Sequence, residues 1–175
     1  MTVRVVLVGL PVSGKTSAGR RLARRLGVPF ADSDALVETR DGRPLTQIFE
    51  ESGESGFRAL EAEVIAEALS SCDGVLALGG GAVLSEATRL RLSESGAVVI
   101  YLVTTVEAAL PLARGGKGRP LLAGDPARRL AELEAERAPL YAEVATARVR
   151  SAGRPMVRIV EDLVAIVQPA SRGVT

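Results

Sequence analysis

Residues 9–16, GLPVSGKT, constrain the fold more than any other segment because they match the pattern G-x-x-x-x-G-K-[ST] without a gap. The run before them, residues 3–8, is rich in β-branched side chains and predicts a strand buried on both faces of a parallel sheet. The residues after them, Lys15–Leu26, predict a helix that ends at Gly27. A strand, a glycine loop and a helix in this order present backbone N–H groups to polyphosphate oxygens.

The loop side chains have distinct expected tasks. Lys15 would reach the β- and γ-phosphates of a nucleotide, and the Thr16 hydroxyl would ligate Mg²⁺. Val12 stands where many such loops hold glycine, and a β-branched residue at positive φ would cost about 1–2 kcal/mol. We expect ATP as co-substrate and Mg²⁺ as cofactor, with the nucleotide contacting Val12, Ser13, Gly14, Lys15, Thr16 and Ser17.

Strand and helix patterns alternate through the rest of the chain. Further strands are predicted at 28–31, 74–78, 97–103 and 144–149. Helices are predicted at 45–51, 54–69, 86–93, 126–141 and 155–167. This alternation predicts an α/β fold with a mostly parallel central sheet. Neither a repeat nor a long linker interrupts the chain, so we expect residues 1–175 to form a single domain.

The composition argues against several kinds of partner and site. Lys and Arg number 22 against 21 Asp and Glu, a formal charge of +1, so no nucleic-acid partner is expected. The absence of His and the single Cys72 rule out an imidazole base and an intramolecular disulfide, and disfavour structural zinc. The apolar start is too short to cross a membrane and lacks a cleavage pattern, so we expect a cytoplasmic protein without a membrane partner.

Residues 113–125, ARGGKGRPLLAGD, depart from the periodic pattern. Four glycines and three cations predict a mobile loop. In a protein that handles phosphate, a basic loop with glycine hinges favours a lid that closes over the nucleotide. An ordinary exposed loop would have the same composition.

Three charged side chains fall on helix faces that are otherwise apolar. Arg58 and Glu61 lie within the inward arc of helix 54–69, and Arg137 lies near the centre of the inward arc of helix 126–141. Charges that point inward must be paired or face a cavity. Arg58 and Glu61 would form a structural bridge, or the two guanidinium groups would clamp a carboxylate or phosphate. Both interpretations hold together if Glu61 orients Arg58.

Two short segments after predicted strands add candidate ligand contacts. Asp32, Ser33 and Asp34 stand at the carboxyl end of a strand, where α/β sheets bind ligands. One carboxylate would lie near Mg²⁺ and the other near an acceptor hydroxyl, or Ser33 or Asp34 would cap the following helix. The glycines at 79–81 let bare backbone approach a ligand, although a plain turn is the alternative.

Taken in order, these motifs resemble the shikimate kinase family over residues 5–141. The resemblance rests on GLPVSGKT, Asp32-x-Asp34, Gly53-Glu54-x-x-Phe57-Arg58-x-x-Glu61, Gly79-Gly80-Gly81, Arg119-Pro120-Leu121 and Arg137-x-x-x-Tyr141. It implies a three-layer P-loop kinase fold with a five-stranded parallel sheet flanked by helices, a mobile lid at about 113–125 and a substrate-binding region at about 32–62. It also implies an enzyme that converts shikimate to shikimate 3-phosphate in aromatic amino acid biosynthesis. We expect the protein to be a monomer.

The resemblance assigns the acceptor site to five residues. Asp34 would hold the ring hydroxyls of shikimate and favour loss of the acceptor proton. Arg58 and Arg137 would clamp the carboxylate, and the backbone of Gly80 and Gly81 would complete the pocket.

The resemblance also assigns the phosphate and metal contacts. Lys15 and the lid residue Arg119 would stabilise charge on the transferred phosphoryl group, so the catalytic set is Lys15, Asp34 and Arg119. Thr16 would bind Mg²⁺ directly and Asp32 would bind it through water.

The adenine contacts depart from the family pattern. The family often has an arginine that packs on adenine beside the lid, but Leu, Pro and Leu occupy 110–112 here. Arg114 or Arg154 would take its place, and we expect Arg119 and Arg154 to contact the nucleotide.

Two other functions remain open at this point. A related kinase would act on gluconate or a cyclitol, although two arginines facing one pocket disfavour a neutral acceptor. A nucleotide-binding module without catalysis would explain Val12, whereas Lys15, Thr16, Asp34 and Arg119 argue for an enzyme.

Overall fold

Five parallel strands form the central sheet of the computed structural model, which describes residues 4–115 and 124–168. The strands are β1 (Val5–Val8), β2 (Phe30–Asp32), β3 (Val75–Ala77), β4 (Val98–Val103) and β5 (Ala147–Arg150). Their order is β2-β3-β1-β4-β5, and every neighbouring pair is parallel. Because β3 and β4 lie on opposite sides of β1, the loop after β1 stands at the switch point of the sheet, where such folds bind ligands.

Seven helices flank this sheet within the described residues. They are α1 (Lys15–Leu26), α2 (Ser33–Asp41), α3 (Leu45–Ser71), α4 (Glu86–Glu94), α5 (Val106–Gly115), α6 (Pro126–Val144) and α7 (Met156–Val167). One core cluster joins the sheet to α3, α4, α5 and α6, and a second joins its other face to α1 and α7. The predicted α/β fold with a parallel sheet between helices is confirmed. No helix in residues 4–115 or 124–168 has the length and apolar character that a bilayer span requires.

The strand β1 shows why a run of apolar, mostly β-branched residues precedes the glycine loop. All four of its residues are buried. Val6 and Val8 belong to the core on the side of α3 and α6, whereas Val5 and Leu7 belong to the core on the side of α1 and α7. A strand with helices on both faces has no position for a polar side chain. Packing on both faces of β1 therefore fixes the point where the glycine loop begins.

Two helices have no counterpart in the sequence prediction. α2 is short and buries only Ser33 and Val37, so its apolar face is too narrow to produce a clear helical period. α5 contains Pro111, a residue that favours a break, but Ala109 and Ala113 are buried against the core. The predicted loop at 113–125 is therefore wrong at its start, because α5 continues to Gly115.

The remaining boundaries differ by a few residues or lie outside the described chain. β2 starts at Phe30 and β5 starts at Ala147, each later than predicted. The two helices predicted at 45–51 and 54–69 meet in α3 at Gly53, whose backbone is not helical (φ 69°, ψ 176°). Residues 116–123, which include Arg119 and most of the predicted lid, lie outside the described residues.

Candidate active site

The ends of β1, β2 and β3 open into a cavity of about 190 Å³. Its wall consists of the glycine loop, the acidic segment after β2, the glycines after β3, and side chains from α3 and α6. The residues of this wall that the sequence singled out are Val12, Lys15, Thr16, Asp32, Asp34, Arg58, Glu61, Gly80, Gly81 and Arg137. The fold thus brings the candidate nucleotide, metal and acceptor residues to one place.

Lys15 is buried inside the glycine loop. Its Nζ donates to the carbonyl oxygens of Gly9 at 2.8 Å and Leu10 at 2.7 Å, and lies 3.3 Å from Ser13 Oγ. Gly14 caps α1 in the left-handed conformation (φ 91°) without a side-chain cap, so the first N–H groups of α1 keep their capacity to donate. The loop therefore presents a cation and free backbone donors together, as an anion site requires.

Val12 has the conformation that the sequence analysis predicted to be strained. Its φ is 61°, and it is the only residue other than glycine with positive φ among the described residues. Its side chain packs against the core that contains Val8 and Leu10, and it also lines the cavity. The apolar contact therefore offsets part of the backbone strain.

Thr16 and Asp32 lie side by side at the entrance to α1 and α2. The Thr16 hydroxyl donates to Asp32 Oδ2 at 2.7 Å, and Asp32 Oδ1 accepts from the backbone N–H of Asp34 at 3.0 Å. The residue that caps α2 is therefore Asp32, not Ser33 or Asp34, because its side chain reaches the free N–H two residues ahead.

A hydroxyl and a carboxylate at this spacing fit Mg²⁺, which prefers oxygen ligands and keeps several waters. Within the described residues, no group of three or more His, Cys, Asp or Glu side chains is placed to hold a metal ion. Thr16 and Asp32 would thus leave most of the coordination sphere to phosphate oxygens and water.

Asp34 stands in the cavity beside the glycines after β3. A Cβ at Gly79 would lie 2.7 Å from Asp34 Oδ1 and 2.8 Å from Glu61 Oε1, so only glycine lets both carboxylates approach this backbone. The buried Ser33 hydroxyl accepts from the Gly79 N–H at 2.8 Å and holds the segment in place. Burial and the neighbouring Asp32 raise the pKa of Asp34 above its ordinary value, and Lys15 opposes this shift.

Arg58 and Glu61 form the bridge that their spacing predicts. Arg58 Nη1 donates to Glu61 Oε2, and the Glu61 side chain is 2% exposed. Burial raises the pKa of Glu61 although Arg58 opposes the shift. Arg58 Nε and Glu61 Oε1 are buried and have no hydrogen-bond partner among the described residues. The bridge therefore leaves polar atoms of both partners without a protein partner.

Arg137 is buried on α6, which continues to Val144 without interruption at Pro139. Its Nε lies 3.5 Å from the half-exposed Glu136 carboxylate. Its Nε and Nη1 lack hydrogen-bond partners among the described residues. A buried guanidinium with unused donors requires an anion, and the cavity that it lines is the place where one would bind.

Several predicted nucleotide contacts lie away from the cavity wall. Within the loop Ser13 is buried and Gly14 is partly buried, neither lines the cavity, and Ser17 is exposed on α1. Arg154 donates to Arg150 O at 3.0 Å and to Asp162 Oδ2 at 2.6 Å, so an acidic neighbour holds part of its guanidinium.

An apolar side of the cavity was missed by the sequence analysis. Leu45, Phe49 and Phe57 line it, and the rings of Phe49 and Phe57 stack with centroids 4.3 Å apart. Phe57 looked like an ordinary core residue because it falls on the inward arc of its helix. The positions of Phe49 and Phe57 on either side of Gly53 could have predicted this apolar wall. The break in α3 at Gly53 lets both rings face the same side.

Comparison with known proteins decides the family. The family model described as shikimate kinase matches residues 11–168. The chain belongs to the shikimate kinase family. The shikimate kinase of Rhodococcus jostii (strain RHA1) is 46% identical over 166 residues, which cover 94% of this chain and 98% of the relative.

Solved structures of the family have the same fold. The shikimate kinase from Acinetobacter baumannii in complex with shikimate superposes with a TM-score of 0.89 at 36% identity, covering 95% of this chain and 93% of that one. A gluconokinase from Sinorhizobium meliloti, 22% identical with a TM-score of 0.59 over 94% of this chain and 90% of its own, shares the fold alone. The predicted family, fold and enzyme class are therefore confirmed, and a gluconate or cyclitol kinase or an inactive module is not favoured.

The positive φ of Val12 predicts that glycine at this position is more stable than alanine, the reverse of the usual order. Val12→Gly should be more stable than Val12→Ala by about 1–2 kcal/mol, because alanine keeps the strain and glycine relieves it. Urea denaturation of both variants measures the difference. Ala131→Gly on the exposed face of α6 is the control and should be destabilised by about 0.5–1 kcal/mol. Equal stability of the two Val12 variants would contradict a strained backbone.

Proposed function

We propose that the chain transfers the γ-phosphoryl group of Mg²⁺·ATP to a ring hydroxyl of shikimate. The observation that carries this proposal is a pair of arginines, the buried Arg137 and the partly buried Arg58, whose unused donors belong to the cavity that Lys15 and Asp34 also line. A carboxylate matches the planar fork of a guanidinium, so an acidic acceptor suits this wall. The Acinetobacter baumannii relative, whose structure contains shikimate, supports the choice of acid.

The nucleotide would bind along the glycine loop and the start of α1. Backbone N–H groups of Val12 and of Gly14 to Ser17 would surround the phosphates, with Ser13, whose own N–H donates to Leu10 O at 3.2 Å, as a further proposed contact. Lys15 would exchange its loop carbonyl partners for phosphate oxygens. Arg119 in the lid and Arg154 remain the proposed further contacts. Arg154 would use the donors that Asp162 does not occupy.

The metal would sit at Thr16 and Asp32, with Thr16 as direct ligand and Asp32 acting through water. When bound, Mg²⁺ would offset the negative charge of the nucleotide phosphates. The hydrogen bond between Thr16 and Asp32 fixes both oxygens before the metal binds. Asp32 is also tied to the N-terminus of α2, so its free oxygen lone pairs have a defined direction.

The acceptor would bind with its carboxylate between Arg58 and Arg137 and its ring against Phe49 and Phe57. The backbone at Gly80 and Gly81 would add N–H donors, and Asp34 would accept a hydrogen bond from the reacting hydroxyl. As that oxygen attacks the γ-phosphorus, its proton passes to Asp34, the new P–O bond forms, and the bond to the β-phosphate oxygen breaks to release ADP. A carboxylate with a raised pKa is better suited to take this proton than an ordinary one.

The acceptor assignment predicts the outcome of a coupled ADP-release assay. With ATP and Mg²⁺, shikimate should support turnover well above that seen with gluconate or a neutral cyclitol, because gluconate lacks the ring that faces the apolar wall and the cyclitol lacks the carboxylate that faces the arginines. Quinate, a second cyclic acid, tests how far the ring itself is selected. Lys15→Ala is the control for background hydrolysis, since the loop cation acts on the transferred phosphoryl group. Turnover with gluconate but not with shikimate would refute the proposal.

The two arginines predict a loss that is selective for the acceptor. Arg58→Ala or Arg137→Ala should weaken shikimate binding about 10- to 100-fold, since a charge-assisted hydrogen bond is worth about 1.5–3 kcal/mol. ADP binding should stay nearly unchanged, and Arg58→Ala should also lower the melting temperature because Glu61 stays buried without its partner. Calorimetric titration with each ligand and a thermal melt measure these effects.

The control for this pair is Arg158→Ala on the surface of α7, whose ion pair with Glu161 includes no residue of the cavity wall. It should leave both affinities unchanged. If shikimate and ADP affinities fall together in the Arg58 and Arg137 variants, the arginines serve the fold rather than the acceptor.

The pKa of Asp34 predicts opposite changes in activity and stability. Burial raises the pKa of Asp34 in the folded state above its value in the unfolded chain. The ionised side chain therefore lowers the free energy of unfolding at pH 7. Well below both pKa values Asp34 is protonated in both states, and this destabilisation is absent. Asp34→Asn should therefore raise the melting temperature at pH 7, with a gain that shrinks toward pH 4, and should lower turnover at least about 100-fold. If Asp34→Asn keeps the turnover of the unaltered protein, Asp34 is not the group that accepts the proton.

A further inference from the structure

The Tyr141 hydroxyl reaches from α6 into the glycine segment of the cavity. Tyr141 is fully buried, and its ring packs against Tyr101 with centroids 5.1 Å apart. The hydroxyl donates to the carbonyl oxygen of Gly80 at 2.5 Å, across 61 residues of sequence. This bond joins the helix that carries Arg137 to the backbone that follows β3.

The Gly80 carbonyl belongs to the same peptide unit as the Gly81 N–H. A trans peptide is planar and its C=O and N–H point in opposite directions. No cis peptide bond occurs in the described chain. The bond from Tyr141 to the Gly80 oxygen therefore also sets the direction of the Gly81 N–H, which must point away from α6.

The other contacts of this segment leave the peptide little freedom. A Cβ at Gly80 would lie 2.7 Å from Pro11 Cδ, so the glycine loop packs directly against Gly80. A Cβ at Gly81 would overlap the Arg58 guanidinium, so Arg58 lies against the backbone of Gly81. Within the described residues the Gly81 N–H has no acceptor, although Gly81 is buried and lines the cavity. The donor is thus held beside Arg58 and left for a ligand.

We propose that Tyr141 is a positioning residue for the acceptor carboxylate. Its hydroxyl anchors the Gly80 carbonyl and thereby aims the Gly81 N–H at the carboxylate that Arg58 and Arg137 bind. This role rests on the proposed function, because it needs an acid in the cavity. Burial raises the pKa of Tyr141, although the neighbouring Arg137 opposes the shift, and this keeps the hydroxyl protonated and able to donate.

Tyr141→Phe tests the anchor because it removes one oxygen and keeps the ring. Shikimate affinity should fall about 5- to 10-fold, the size of one lost hydrogen bond, whereas ADP affinity should change less than about twofold. Steady-state kinetics should show this as a higher KM for shikimate with a smaller change in kcat. Tyr101→Phe is the matched control, since it removes the hydroxyl from the other ring of the same pair. It should leave the affinities for shikimate and ADP unchanged.

A second ligand separates positioning from general damage. The carboxamide of shikimate lacks the charge that the Gly81 N–H would meet, so its affinity should fall less in Tyr141→Phe than that of shikimate. The ratio of the two affinities should therefore drop in this variant and stay constant in Tyr101→Phe. An unchanged ratio, or unchanged shikimate affinity, would overturn the proposal.

A measurement on the unaltered protein tests the same idea if Tyr141→Phe does not fold. Titration with shikimate should move the amide proton resonance of Gly81 downfield, and titration with the carboxamide should move it less. If the Gly81 resonance does not respond while the Arg58 and Arg137 variants lose shikimate affinity, the role of Tyr141 is overturned and the proposed function stands. An unaltered protein that neither binds nor phosphorylates shikimate would instead overturn the proposed function.

Discussion

Glu61, which is buried, holds the partly exposed Arg58 guanidinium at the cavity wall, and much of the cavity depends on this pair. A buried carboxylate and a buried guanidinium are tolerated only when each has partners. The pair stands against the glycines after β3, where a Cβ at Gly79 would meet Asp34 and Glu61 and a Cβ at Gly81 would meet Arg58. Gly79 and Gly81 are thus required by the charged side chains around them, and Gly80 by the approach of Pro11.

The local patterns were the most predictable part of the site. The glycine loop, the strand before it and the helix after it depend on adjacent residues, and the inward position of Arg58, Glu61 and Arg137 follows from helical period alone. Val12 was identified as strained because a loop of this shape needs positive φ there. Each inference required no knowledge of how distant segments meet.

What the sequence left out depends on contacts between distant segments. The Tyr141 hydroxyl meets Gly80 only because α6 packs beside the end of β3, and the Thr16 hydroxyl meets Asp32 only because the start of α1 lies beside the end of β2. α5 forms although Pro111 argues against it, since burial of alanines outweighs the lost backbone hydrogen bond. Single-domain organisation, the lid and a monomeric state stay predictions.

The break at Gly53 divides α3 into one part that bears Phe49 and another that bears Phe57, Arg58 and Glu61. Its left-handed φ of 69° is readily adopted by glycine alone, so the angle between the two parts is set by a residue that touches no cavity atom. The separation of Phe49 from Phe57 across the cavity wall is therefore set by a residue outside that wall. Because Arg58 follows Phe57 on the same part of α3, the break also sets where the proposed carboxylate contact lies relative to Phe49.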